Sequence, residues 1–311
     1  MTTLLQKIPL RRLITNRTVK WHPHNYLRLH QTSTPKKTSL KTYKINPIVT
    51  MDSEQPENTS PLPQPLQEYI KQSMKYKERS HKTLEEVHKP GLELIPPTTT
   101  QITSNQPCFD VIFIGDSMLE RLKTTGQNTN LHNLPRSFNL GVGGDKIENV
   151  LYRLHTGYIS LLENRPTKLW VVHIGTNNLR PKKGLRESGP SDYENFKVLI
   201  ETLMLLCPGS KVLVTGLFPR KDISDELVRA SNEKLRESLD ELAKESLIAG
   251  NSLPESGPGA DTLFWADPTE TISTDMLVDH VHLDEEGYKL WDESLYPRIL
   301  EILGLGEPEP L

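Results

Sequence analysis

CFDVIFIGDSM, residues 108–118, sets an apolar run directly against a turn. Phe109 and Val111 to Ile114 are aromatic or aliphatic and mostly β-branched. That composition suits a strand buried on both faces, as in a parallel sheet. The run stops at Gly115-Asp116-Ser117, and the helix-compatible MLERL follows. Ser117 is therefore expected on a strand-to-helix turn, its hydroxyl facing the open end of the sheet. Open α/β sheets bind ligands at the carboxyl ends of their strands, and helix N–H groups there point at anions. A serine at this point also serves as an ordinary helix cap. On these three residues alone the cap is the favoured reading.

Working outward, strands and helices alternate. SFNLG (137–141), KLWVVHIG (168–175), KVLVTGLFPR (211–220) and TLFWAD (262–267) read as further strands. Residues 191–206 and 224–246 have helical apolar spacing, and a last helix is expected from about Asp284 through Leu300. Asp145 and Glu148 have the spacing of a capping box that opens a helix through Leu154. Five strands alternating with helices imply a parallel sheet with helices on both faces and right-handed crossovers.

The remainder is of different character. Of 311 residues, only 35% are hydrophobic, low for a wholly globular chain. Residues 1–51 hold ten Lys/Arg and no Asp or Glu, which leaves the rest with a charge balance of −13. An acidic body argues against nucleic acid as a ligand. The basic leader fits a mitochondrial presequence, or a non-native start with Met51 as the true one. A cytoplasmic protein is expected otherwise. Residues 52–107 read as a Pro-rich linker with one polar helix at 65–88, ended by Pro90-Gly91. The extension as a whole is expected to be largely disordered, and 305–311 to be a tail. Cys108 and Cys207 give neither a disulfide framework nor metal-ligand spacing. No apolar run reaches the length of a membrane span.

Three more loops carry unusual polar residues at what should be the same sheet edge. They are Gly143-Gly144-Asp145, Gly175-Thr176-Asn177-Asn178 and Asp279-His280-Val281-His282. A serine hydroxyl needs an adjacent imidazole base. The imidazole needs a carboxylate on its other nitrogen, and an Asp three residues before a His on a turn can curl back to supply it. A developing oxyanion needs N–H donors, which a Gly-Gly turn and an Asn amide offer. Each piece has a plain alternative: Gly143-Gly144 as a turn, Asp145 as a cap, Asn177 as a turn residue, Asp279 and His282 as a surface pair. His280 is a rival base, but it adjoins Asp279 with poor geometry. His173, inside a strand, reads as a core histidine. Taken together and in order, the four loops favour a catalytic set.

The blocks GDS, NLGVGGD, GTNN and DHVH resemble those of the SGNH (GDSL-type) esterases. FIGDSM, FNLGVGGDKIENVLYRLHTG, WVVHIGTNN, GLFPR and DMLVDHVHLDEEGY are similar to segments of the catalytic subunits of intracellular platelet-activating-factor acetylhydrolase. The resemblance covers about residues 108–304. It implies a flavodoxin-like, three-layer α/β/α fold and an esterase without cofactor or metal. It implies Ser117 as nucleophile, His282 as base and Asp279 as its partner. The N–H groups of Ser117 and Gly144 and the Asn177 side chain would form the oxyanion hole. Met118 and Val281 would adjoin the acyl group, and their bulk suggests a short-chain, acetyl-type ester as the small-molecule substrate. It further implies a homodimer and association with a β-propeller scaffold. Two other readings stand beside it: a carbohydrate O-acetylesterase, with Trp265 as an aromatic rim, and a non-catalytic interaction protein on the same fold. The loops at 180–190 and 247–261 depart from the subgroup, so substrate choice does not transfer.

Overall fold

The computed structural model of the chain describes residues 60–98, 108–248 and 262–306, the side chains of 245–248 excepted. The expectations for the leader at 1–51 therefore lie outside the described residues. So do those for most of the tail.

All five expected strands are present: β1 (Phe109–Gly115), β2 (Ser137–Gly141), β3 (Thr167–His173), β4 (Lys211–Thr215) and β5 (Leu263–Ala266). They form one parallel sheet in the order β2-β1-β3-β4-β5. That order is the flavodoxin-like one, in which the crossovers change direction between β1 and β3. The carboxyl ends of three strands coincide, since Gly115 pairs with both Gly141 and His173. Ser117 thus follows the strand at which the topology switches.

The pleat sends alternate residues to two helical layers. Ile112, Ile114, Trp170, Val172, Val212 and Val214 belong to one buried cluster. Val111, Phe113, Leu169, Val171 and Leu213 belong to the other. The sheet is buried on both faces, which is why its strands are apolar without alternation.

Around the sheet run α1 (Gln64–Ser73), α2 (Glu78–Thr83), α3 (Lys89–Glu93), α4 (Ser117–Glu120), α5 (Asn130–Asn133), α6 (Ile147–Arg153), α7 (Ile159–Leu162), α8 (Asp192–Leu206), α9 (Asp225–Ile248) and α10 (Glu285–Leu303). Ser191 caps α8 and Asp284 caps α10, as their sequences suggest. The capping box expected on Asp145 and Glu148 does not form. Lys146 is the cap of α6, and its backbone N–H donates to the Asn149 side chain at 2.9 Å.

The segment at 60–98 differs most from expectation. In place of one polar helix at 65–88 there are two helical runs, parted where Met74 is extended. Pro90 and Gly91 lie inside the second run rather than ending it, just after a π-helical turn at Leu84–His88. A proline cannot donate back into the preceding turn, and a wider turn there absorbs the loss. Leu62, Leu66, Ile70, Leu84 and Leu92 are buried in the first core cluster. Residues 60–98, which composition presents as linker, are therefore part of the packed body, whose core does not begin at Cys108. Among the described residues, no helix is long and apolar enough to cross a membrane.

Candidate active site

Gly115 shows why the turn after β1 has the sequence it has. A Cβ at this position would lie 1.9 Å from the His173 carbonyl oxygen, so only glycine lets β1 and β3 close up. Asp116 then caps α4, its Oδ1 accepting from the Met118 backbone N–H at 3.0 Å. Ser117 becomes the first helical residue and is 5% exposed.

His282 reaches Ser117 from the loop before α10. Its Nε2 lies 2.9 Å from Ser117 Oγ. Its Nδ1 lies 2.7 Å from Asp279 Oδ2. The loop curls back as the three-residue spacing suggests: Asp279 Oδ1 accepts from the Val281 and His282 backbone N–H groups at 2.8 and 2.9 Å. Partial burial works to raise the Asp279 carboxyl. The His282 ring and these two N–H groups outweigh it and hold the carboxyl well below the usual carboxylate range. A carboxylate of this kind fixes the imidazole with Nδ1–H toward itself and Nε2 toward the hydroxyl.

The loops bearing the expected donors Gly144 and Asn177 are joined to each other. Gly144 is exposed with φ +72°, a conformation that favours glycine. Asn177 donates from Nδ2 to the Asp145 carbonyl at 2.9 Å, using one of the two N–H groups of its amide. The loop after β3 is held by its neighbour Asn178. That side chain donates to Glu148 at 2.9 Å and Asp192 at 3.0 Å, and accepts from the Ile147 N–H. Arg220 adds a 2.6 Å bond to the Thr176 carbonyl. Met118 is buried in the second core cluster, and Val281 is 6% exposed.

Asp145 is not a helix cap but the acid of a buried network. Its Oδ2 accepts from Arg153 Nε at 2.9 Å, with both side chains wholly buried. Arg153 also donates to the Leu140 and Gly115 carbonyls, at the ends of β2 and β1. It thereby ties the strand leading to Ser117 to the loop bearing Gly144. Tyr158 OH takes a further Arg153 bond at 2.6 Å and lies 2.6 Å from His88 Nδ1. Burial, with Arg153 and Lys123 nearby, pushes His88 down to about 2. Sequence reasoning passed over Arg153 and His88. The only trace was a lone arginine among the apolar residues of NVLYRL.

The two rejected histidines are accounted for. His173 is fully buried, stacks on Phe218, and bonds Thr215 Oγ1 at 2.7 Å. Burial pushes it down to about 3. His280 is exposed. Among the described residues, no cluster of three or more His, Cys, Asp or Glu side chains could hold a metal ion.

The fold and these loops define an α/β protein whose serine, histidine and aspartate meet at a topological switch point. A model of the GDSL-like Lipase/Acylhydrolase family matches residues 113–290, and the chain belongs to that family of ester-hydrolysing enzymes. It is similar to platelet-activating factor acetylhydrolase IB subunit alpha2 of Homo sapiens, 30% identical over 197 residues, 62% of this chain and 77% of the relative. It is also similar to subunit alpha1 of Mus musculus, 28% identical over 208 residues, 65% of this chain and 81% of the relative. Among solved structures it is similar to a family two carbohydrate esterase from Clostridium thermocellum, with TM-score 0.46 and 13% identity over 65% of this chain and 67% of that one. A family 3 carbohydrate esterase from Talaromyces cellulolyticus gives 0.43 and 16% over 63% and 98%. These two structural likenesses are too low to bear on the reaction.

Proposed function

We propose that the chain is a serine esterase that cleaves short-chain, acetyl-type esters through an acyl-enzyme. The observation that carries this reading is the position of His282 between Asp279 and Ser117, at 2.7 and 2.9 Å. Ser117 Oγ attacks the ester carbonyl carbon while His282 Nε2 takes its proton. The oxyanion rests on the Ser117 and Gly144 N–H groups and the second N–H of Asn177. The carbon–oxygen bond to the alcohol then breaks, and His282 returns the proton to the leaving oxygen. Water, deprotonated by the same imidazole, attacks the acyl carbon; the bond to Ser117 Oγ breaks, His282 returns the proton to that oxygen, and the acid leaves. The buried bulk of Met118 and Val281, each next in sequence to a reacting residue, supports a short acyl group. The likeness to acetylhydrolase subunits supports it further.

The sugar-ester alternative has less behind it. Trp265 packs against the first core cluster and bonds Asp267 at 2.7 Å, instead of offering a free ring. The relatives are named as subunits, which supports an assembly that light scattering would test. The deciding experiment is fluorophosphonate labelling with turnover of p-nitrophenyl acetate. Labelling of Ser117, and loss of both signals in Ser117→Ala, is expected. An unlabelled protein without turnover would leave the interaction-protein reading in its place.

A further inference from the structure

The turn that carries Gly144 is held from outside the segment matched by the family model. Lys77, between α1 and α2, donates from Nζ to the Gly143 carbonyl at 2.7 Å and to Asp145 Oδ1 at 3.2 Å. Ser80, three residues on, donates to the same Asp145 oxygen. A Cβ built on Gly144 would lie 3.0 Å from Lys77 Nζ, so the ammonium sits beside that residue. The turn is thus fixed on several sides. Gly143 O is taken by Lys77, Asp145 O by Asn177, and the Asp145 carboxylate by Lys77, Ser80 and Arg153.

The geometry points to Lys77 as a positioning residue for the reaction, acting on the Gly144 N–H through the Gly143 carbonyl and Asp145. The inference rests on the esterase reading above and adds residues 77–80 to the working site. Two consequences follow. The peptide joining Gly143 to Gly144 has its carbonyl held by Lys77 at 2.7 Å, and the N–H of that same peptide is the oxyanion donor. Fixing one end of a planar peptide fixes the other. Second, Lys77 and Arg153 together outweigh the one charge of Asp145. The turn therefore carries a net positive charge next to the point where negative charge develops. Lys77 touches no reacting atom. Its effect should appear in the transition state and not in ground-state binding, so it should fall on kcat and spare KM.

The test is steady-state hydrolysis of p-nitrophenyl acetate by the full-length protein carrying Lys77→Met, with thermal melting alongside. A fall in kcat of about tenfold, with KM within twofold and the melting point little changed, is expected. Asn177→Ala acts on the same oxyanion. The double variant should therefore lose less than the product of the two single losses, as for coupled neighbours. A kcat equal to wild type, or fully multiplicative losses, would overturn the inference. Should Lys77→Met fail to fold, Lys77→Gln, uncharged and one bond shorter, removes both the ammonium and its reach to the Gly143 carbonyl while keeping a polar side chain. A lowered kcat at constant KM then supports the role, and unchanged kinetics refute it. Wild-type turnover that survives Ser117→Ala would instead defeat the underlying esterase reading, whatever Lys77 does.

Discussion

His282 Nε2 stands 2.9 Å from Ser117 Oγ, although 165 positions of chain separate the two residues. The sheet makes this possible by ending β1 at its topological switch, with the loop before α10 returning over the same edge. Asp279→Asn probes the pairing with little disturbance of the loop, because an amide oxygen can still accept from the Val281 and His282 N–H groups. It cannot hold the imidazole in the required tautomer. A fall in kcat of about 10³–10⁴ is expected, on the scale measured for other triads. The melting point should be nearly unchanged. Activity within tenfold of wild type would remove Asp279 from the mechanism.

The donor side is tested separately. Asn177→Ala should lower kcat by about 10²–10³ if its free N–H meets the oxyanion. Gly144→Ala should also be damaging, for a reason visible in the backbone. φ is +72° there, and the new Cβ would press on Lys77 Nζ at 3.0 Å. The turn must rotate to relieve both, and its N–H turns with it. Unchanged kcat in either variant would reassign the donor.

Much of this was legible because it is written in residues whose chemistry is local. The strand composition of β1, β3 and β4 identifies a sheet buried on both faces. The Asp279-to-His282 spacing specifies a turn that folds the carboxylate onto the ring. The N-terminal segment was not legible for an equally physical reason. Leu66, Ile70, Leu84 and Leu92 are sparse among Lys, Glu and Ser, so their periodicity is diluted. Their burial depends on a surface supplied by α6 and its neighbours, far along the chain. Asp145 misled in a similar way. Its spacing to Glu148 suits a capping box, but a buried arginine eight residues on offers the carboxylate a stronger partner.

Leu84 gives that segment a stability test. It is 0% exposed, and a Cβ on Gly157 would come within 3.0 Å of its Cδ1, so the two elements are in tight contact. Leu84→Ala should destabilise the protein by about 2–5 kcal/mol, the range for a large-to-small change in a packed core. Urea denaturation with a single cooperative transition should show the shift. A variant as stable as wild type would mean that residues 60–98 are not an integral part of the fold.

Asp116 yields a prediction with a sign. It is fully buried beside Ser117, and one carboxyl oxygen, Oδ2, has no hydrogen-bond partner among the described residues. Burial pushes its carboxyl up to about 7. The Met118 N–H, Thr176 and Arg220 oppose the shift, while nearby Asp145 reinforces it. Tyr288, packed from α10, also faces it. The unfolded chain releases this proton near the ordinary value of 3.8. Between the two values the folded state keeps a proton that the unfolded state has lost. Stability contributed by this group is therefore full below about 4, declines as pH rises to about 7, and stays reduced above that. Asp116→Asn preserves the oxygen that caps α4 and cannot ionise. Urea midpoints across pH 4 to 8 should show the variant gaining on wild type as pH rises, with the gain levelling off above about 7. Parallel curves would mean that Asp116 is ionised throughout, and that its buried oxygen finds a partner in solution.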